Sequence, residues 1–460
     1  MIKQIKKYSK TISLVIFFFL GFLISDLLGI TKEAIVFLGL IFIYLDKYYS
    51  RKLNAFKILN AIFLFAIFFG ATSFLKSNNV IIWYTPVIIF AILANILFND
   101  LHLGLIMSLG MGIAASNTLE NTILFTITGI TANILANKGI SLKQIMRAAF
   151  LAGLIQMLTL VLINHLSFNK VFLTEYFHII INGIFSGMFI LGLSAFGILH
   201  IFERIFGVIT NLSLLELSDY NHPLLKKLSL IAPGTYHHSL IVGNLSDAAA
   251  EKIGANPLLS RVGAYFHDIG KLEKPEYFSE NQIQINSKHE GLSPSISKMV
   301  ITNHIKEGAD LAKQYKLNKK IIDFILEHHG TSLVFYFYMR ALEEQNGSKP
   351  EEEEFRYPGP KPQSKQTAIV LLADSVEAAT RSLEDPTPAK IEEITHKIIN
   401  NRFIDGQLDE CNLTLKNLEE ISVVFTRMLT SIYHSRIQYP EEKANANHKK
   451  STEKNTASNK

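Results

Sequence analysis

The feature that most constrains this chain is a succession of apolar runs reaching from near the N-terminus to about Val208. They fall at roughly 11–29, 33–46, 57–75, 80–98, 101–117, 121–137, 147–166 and 178–202. A backbone in hydrocarbon must satisfy its own hydrogen bonds, and a spanning helix needs about 20 mostly apolar residues. Eight such runs with few charges between them are not the pattern of a soluble core. They predict a polytopic helical membrane domain over residues 1–208, of about eight helices. The averages conceal this division: 48% hydrophobic residues and a mean hydropathy of +0.23 describe neither half.

Basic residues set the expected orientation. Lys3, Lys6, Lys7 and Lys10 precede the first run. Lys47, Arg51, Lys52 and Lys57 lie between the second and third, and Lys138, Lys143 and Arg147 between the sixth and seventh. The alternate loops, 76–79 and 116–121, carry little positive charge. An even number of spans then puts both the N-terminus and the second half in the cytoplasm. The first run starts like a signal peptide, but no small-x-small cleavage site follows it, so it reads as an uncleaved anchor. Asp26, Asn95, His178 and His200 lie in or near spans. They are scattered and unpaired in sequence, which favours packing or interfacial roles over an ion pathway.

The second half reads as soluble and all-α. A linker over 209–232 has a turn at Asn221-His222-Pro223 and Lys226-Lys227 at headgroup level. A helical domain then occupies 233–440, and 441–460 is a Lys-, Asn- and Ser-rich tail too polar to fold. Pro233-Gly234-Thr235 reads as a helix start with Thr235 as N-cap, the helix ending at Gly254. A second helix, 257–269, is stopped by Gly270. Further helical patterns cover 294–314, 318–329, 332–345, 364–383, 388–400 and 415–435, the last through Leu418, Ile421, Val424 and Leu429. No convincing period-two strand is present. The single cysteine, Cys411, excludes an internal disulfide and suits a reducing compartment. A net charge of +5 without a concentrated basic stretch argues against duplex nucleic acid as a partner.

Within these helical stretches stand His238, His267-Asp268, His304, His328-His329 and Asp374. Imidazole and carboxylate are the ligands of transition-metal pairs, and a carboxylate such as Asp268 can bridge two cations. Two cations about 3.5–4 Å apart lower the pKa of a shared water and clamp a phosphoryl oxygen. The absence of cysteine from the set disfavours a structural zinc site. Lys271 follows His267 by four residues, so a continued helical turn carries its ammonium to the metal side, where it suits a phosphate. His237 points about 100° away from His238 around a helix, a packing or supporting position. His289 reads as a loop stabiliser and His434 as structural. The aromatic run Phe335–Tyr338 reads as core before base-stacking platform.

The segments Gly234–Ser239, Val262–Lys271, His328–Thr331, Phe355–Pro362 and Leu372–Ala379 together resemble the HD-superfamily domain of bacterial seven-transmembrane HD proteins. The resemblance is close over about 230–440 and extends to the arrangement of the polytopic segment before it. It implies a cyclic-di-AMP phosphodiesterase opening the ring to linear pApA with two iron or manganese ions. It further implies one metal held by His238, His267, Asp268 and Asp374. The second falls to His304, His328 and His329, with Asp268 as the bridge. The catalytic positions are then Asp268 and Lys271. The partners implied are cyclic-di-AMP and the lipid bilayer of a bacterial inner (cytoplasmic) membrane, with homodimerisation left open.

The sequence departs from the family pattern in three places. Gly29–Glu33 leaves only a tight turn where a large extracellular domain usually stands, which puts external sensing in doubt. Ser287-Lys288 replaces a proline-containing step, and Gln366 stands where Glu is common. The Gly-Tyr-Pro signature of cyclic-di-GMP hydrolases does not follow His328-His329-Gly330. Cyclic-di-GMP nevertheless stays open as an alternative substrate, as does a receptor that binds the dinucleotide without cleaving it.

Overall fold

The computed structural model describes residues 55–78, most of 86–166, residues 177, 178 and 181, and then 192–282, 288–344 and 350–433. The apolar runs 11–29 and 33–46, the tight turn at Gly29–Glu33, Asp26, Ser287 and His434 lie outside them. The chain divides into two compact units, one up to Asp219 and the other from Tyr220. Helices make up the described residues, apart from short 3-10 turns, loops and an isolated antiparallel bridge between Leu333 and Arg356.

In the first unit the helices are α1 (Ala55–Ser77), α2 (Val87–Phe98), α3 (Leu101–Ala114), α4 (Leu119–Ala136), α5 (Leu142–Leu166), α6 (Gly192–Phe206) and α7 (Asn211–Leu217). Leu119–Ala136 and Lys143–Ile163 are long and apolar enough to cross a bilayer. A third span arises if the bent pair Gly197–Phe206 and Asn211–Leu217, inclined at 98°, is counted as one. Leu59–Leu75, Val87–Phe98 and Leu101–Ile113 are shorter apolar helices. Asn95 is buried here and donates to the backbone and side-chain oxygens of Asn133, both at 3.2 Å, tying α2 to α4. Asn95 is thus a packing residue, as expected. His200 lies 3.1 Å from Glu203 Oε2, and Glu203 accepts from the Thr210 amide and the Ser213 hydroxyl at 2.7 Å each. These bonds serve the α6–α7 bend.

The second unit contains α8 (Pro223–Ile231), α9 (Pro233–Lys252), α10 (Pro257–Phe266), α11 (Pro294–Gln314), α12 (Lys319–Glu327), α13 (Phe335–Glu344), α14 (Lys365–Arg381), α15 (Pro388–Ile404) and α16 (Leu415–Tyr433). Short polar side chains start most of them. Asn256, Ser293, Asn318, Ser364 and Thr387 each accept a hydrogen bond from a first-turn amide. The start of α9 is a correction. Thr235 lies inside the helix, and Ala232, which has no capping side chain, precedes Pro233. Proline supplies the start because its missing N–H is one the first turn cannot satisfy anyway. The freed Thr235 amide donates instead to Asn281 Oδ1 at 3.0 Å.

Helix α14 is the axis of this unit. Residues 367–374, Val376, Glu377 and Thr380 are all buried, so it is enclosed on nearly every side, its apolar surface interrupted by Thr367, Asp374, Ser375, Glu377 and Thr380. A helix that is apolar all round belongs inside a bundle. Leu245 and Ala249 of α9, Ala264 of α10, Phe324 of α12, Ile391 of α15 and Ile421, Phe425 and Leu429 of α16 complete its core. The expected periodicity of α16 is therefore its buried face, with Val424 at the margin. Segment 209–232, expected as a linker, contains α7, α8 and the turn between them.

Candidate metal centre

Seven side chains that the sequence singled out as metal ligands meet at one place. Helix α9 supplies His238 and α11 supplies His304. The end of α10 supplies His267 and Asp268, the end of α12 supplies His328 and His329, and α14 supplies Asp374. The doublets work because each sits at a helix terminus. Helix α10 stops at Phe266, Asp268 precedes a 3-10 turn over Ile269–Leu272, and the two side chains diverge into one cavity. Past His329, Gly330 takes φ +54°, where a side chain would be strained, and the chain leaves the site at once.

Asp268 faces two groups at once. Its Oδ2 lies 3.2 Å from His267 Nε2 and 3.8 Å from His238 Nε2. Its Oδ1 lies 3.4 Å from His304 Nε2 and 3.5 Å from His328 Nε2. Asp374 is split in the same way, with Oδ1 3.1 Å from His238 Nε2 and Oδ2 3.5 Å from His329 Nδ1.

The backs of the imidazoles fix their tautomers. His267 Nδ1 donates to the Ala264 carbonyl at 2.6 Å, His304 Nδ1 to Ile301 at 2.6 Å and His328 Nδ1 to Ile325 at 2.9 Å. Carbonyls only accept, so Nδ1 carries the proton and Nε2 turns a lone pair inward. His304 Nε2 and His328 Nε2 consequently face each other at 3.3 Å, lone pair to lone pair. His267 Nε2 and Asp268 Oδ1 are buried with no hydrogen-bond partner. Inward lone pairs and a buried carboxylate oxygen without a donor repel unless cations lie among them, so the donor set fits a pair of metal ions.

The histidines of the site differ in protonation. Burial pushes His304 down to about 4 against the pull of Asp268, and it drives His329 well below its ordinary value, so both are neutral at pH 7. Burial would raise Asp268 and Asp374, but His267 and Lys271 hold the first carboxyl below its usual range, and His238 and His329 the second. His238 is pushed up to about 10: burial opposes this, and the carboxylates of Asp374 and Glu377 on either side outweigh it. The gap between His238 and Asp374 is thus a place where positive charge is stabilised.

Lys271 does reach the metal side, by a different route from a continued α-helix. From the 3-10 turn its ammonium lies 2.7 Å from Asp268 Oδ2 and 2.8 Å from Glu280 Oε1, over the Phe278 ring at 4.9 Å. It is held between two carboxylates. His237 is exposed, neither packed nor supporting, because its neighbour takes the inward face of α9. His289 Nε2 contacts the Tyr277 carbonyl at 3.0 Å and so does stabilise that loop. The aromatic run divides: Phe337 and Tyr338 pack against Phe355, while Phe335 and Tyr336 are exposed on the lip of the cleft.

Sequence reasoning missed four residues here. Glu377 is buried, takes His238 Nδ1 on one oxygen and accepts from the Tyr433 hydroxyl on the other at 3.2 Å. Its signal was its place three residues after Asp374, on the same helical face. Glu280, the second partner of Lys271, comes from a short 3-10 turn, Ser279–Asn281, that nothing in the sequence announces. Tyr357 stacks on His329 at 4.2 Å, and burial pushes its phenol pKa up, so it stays protonated. Arg402 sits in the cleft wall beside Ser375. All these residues line or support one cleft of roughly 870 Å³.

Comparison with known proteins points the same way. Residues 235–379 match the HD domain family, and residues 24–210 match the family described as a 7TM receptor with intracellular HD hydrolase. The chain is 42% identical over 357 residues to "Cyclic-di-AMP phosphodiesterase PgpH" of Bacillus subtilis (strain 168), covering 77% of this chain and 48% of the relative. It is 39% identical over 430 residues to the protein of the same name from Listeria monocytogenes serotype 1/2a, covering 90% of this chain and 59% of the relative. The chain thus spans about half the length of the curated relatives it matches. The crystal structure of the L. monocytogenes PgpH HD domain in complex with cyclic-di-AMP is 50% identical, with a TM-score of 0.45, covering 47% of this chain and 100% of that one.

Proposed function

The chain belongs to the family of seven-transmembrane receptors with an intracellular HD hydrolase, and on that premise we propose that it opens cyclic-di-AMP to linear pApA. The observation that carries this reading is Asp268, whose two oxygens address separate histidine groups. A carboxylate so divided suits two cations side by side, an arrangement able to hydrolyse a phosphodiester. When bound, a pair of iron or manganese ions would supply an activated water and a clamp on the phosphoryl oxygens. His238, His267, Asp268 and Asp374 would hold one ion, and Asp268, His304, His328 and His329 the other.

The remaining roles fall to the chain's own groups. Carbonyls of Ala264, Ile301 and Ile325 orient three of the imidazoles, and Glu377 orients His238. Lys271 and Glu280 fix the angle of the Asp268 carboxylate, and Lys271 keeps a cation beside the phosphate position. Tyr357 covers His329 and keeps a phenolic proton available at the cleft. The two relatives named for cyclic-di-AMP hydrolysis support the choice of adenine over guanine as base.

The proposed location is the bacterial inner membrane with the HD unit, about 233–440, in the cytoplasm. Reporter fusions after residue 208 and within 76–79 should then give opposite compartment signals, and identical signals would break that topology. For the activity, the purified full-length chain, loaded with manganese or iron, is incubated with each cyclic dinucleotide and the products are resolved by chromatography. The expected result is pApA from cyclic-di-AMP. Preferential cleavage of cyclic-di-GMP, or cyclic-di-AMP tightly retained but intact, would replace this reading with one of its alternatives.

A further inference from the structure

A cyclic dinucleotide carries two phosphodiesters on opposite sides of its ring, each with a negative charge. A single metal centre can take only one of them. The cations lining the cleft are the candidates for holding the other, and they can be compared by what they already hold. Lys271 is bound to Asp268 and Glu280. Arg356 is bound to Asp405 at 2.8 and 3.2 Å, to Glu352, and to the Thr331 carbonyl. Arg381 lies 4.0 Å from Glu377 and is partly in solvent.

Arg402 differs from these three. It stands in the last turn of α15 and is partly buried in the cleft wall. Among the described residues no carboxylate lies within 4.0 Å of it. Its contacts are to one hydroxyl, Ser375 Oγ, at 3.3 Å from Nε and 3.1 Å from one terminal nitrogen. A guanidinium has five N–H donors in a rigid fork that matches two phosphate oxygens, so most of its donors are uncommitted. Ser375 directly follows Asp374, which places the fork one residue along α14 from the site. Burial lowers the Arg402 pKa, and the more distant charges of Asp374 and Asp405 only partly offset that. A cation so placed is stabilised by an arriving anion.

We propose that Arg402, steadied by Ser375, binds the second, uncleaved phosphodiester of the cyclic dinucleotide and so selects two-phosphate rings over simple phosphodiesters. This rests on the reading of the site as a cyclic dinucleotide phosphodiesterase. It makes Arg402 a specificity residue, and its loss should show only with substrates that have a second phosphate.

The test compares full-length wild type, Arg402→Gln and Arg402→Lys, each loaded with manganese, on cyclic-di-AMP and on bis(p-nitrophenyl) phosphate, which has one phosphodiester. Metal content and melting temperature are measured on the same preparations. Arg402→Gln should lose about ten- to a hundred-fold in kcat/KM on cyclic-di-AMP, the range of a charge-assisted contact. It should keep its rate on the single diester and its metal content. Arg402→Lys, which keeps the charge without the fork, should lose less. Equal losses on both substrates would put Arg402 at the scissile phosphate or in the scaffold, and no loss on either would leave it unused; both outcomes overturn the proposal. A wild type that cleaves the single diester but not cyclic-di-AMP would instead refute the functional reading itself, before any variant is considered.

Discussion

Replacing Glu377 by glutamine isolates what a carboxylate behind a ligand contributes. Glu377 touches no phosphate and lies behind His238, which is wedged between it and Asp374. Its two oxygens serve two donors, the His238 ring and the Tyr433 hydroxyl. In Glu377→Gln the amide oxygen can still face His238, and the Tyr433 hydroxyl can rotate to accept from the amide nitrogen. The hydrogen bonds survive, so what is lost is the negative charge that makes His238 a strong ligand. Outer-shell changes of this kind typically cost about 10- to 100-fold in metal affinity, or about 1.4–2.8 kcal/mol. The assay is a titration of phosphodiesterase activity with manganese after chelation, with metal content from elemental analysis. The activation midpoint should move up by that factor, while the rate at saturating metal changes much less. An unmoved midpoint with full metal content would refute the assignment of His238 as a ligand supported by Glu377.

Two further outcomes follow from the same geometry. Asp268→Ala should abolish turnover and lower metal content, because the residue faces both histidine groups; full occupancy with a normal rate would exclude a bridging role. Lys271→Ala should cost about 3 kcal/mol or more, because it leaves the buried Glu280 unpaired, and adding Glu280→Gln should restore part of the melting temperature. The pair also has a pH signature. Burial would raise Glu280, but Lys271 holds it at about 2 against an ordinary 4.5. Its contribution is therefore complete above pH 4.5 and is lost as pH falls toward 2. Acid melting of the wild type should show that loss, and Glu280→Gln should show less of it.

The sequence displayed the proposed ligands plainly and the residues behind them hardly at all. His267-Asp268 and His328-His329 are adjacent pairs, and adjacency is visible in one dimension. Glu377 is bound to a histidine 139 positions away, and Glu280 reaches Lys271 from a separate 3-10 turn, so each depends on how the chain packs. Thr235 misled because it resembles a cap, while Pro233 two residues earlier is a stronger helix start. The apolar runs were legible as runs but less so as spans: the helix Leu101–Ala114 ends before the run 101–117 does, with Ser116 outside it. Hydropathy records composition and is blind to where a helix breaks.

Gly270 has a consequence for how the capacity for catalysis can be lost. A β-carbon there would lie 1.9 Å from the His304 carbonyl oxygen and 2.5 Å from the Gly308 amide. The 3-10 turn that carries Lys271 and the helix that carries His304 thus touch backbone to backbone, with no room for even an alanine. A replacement there would have to part the 3-10 turn from α11, and with them Lys271 and His304. A chain of this kind could therefore become inert while keeping every proposed metal ligand in its sequence. Its descendants, judged by their histidines and aspartates alone, would be mistaken for working enzymes.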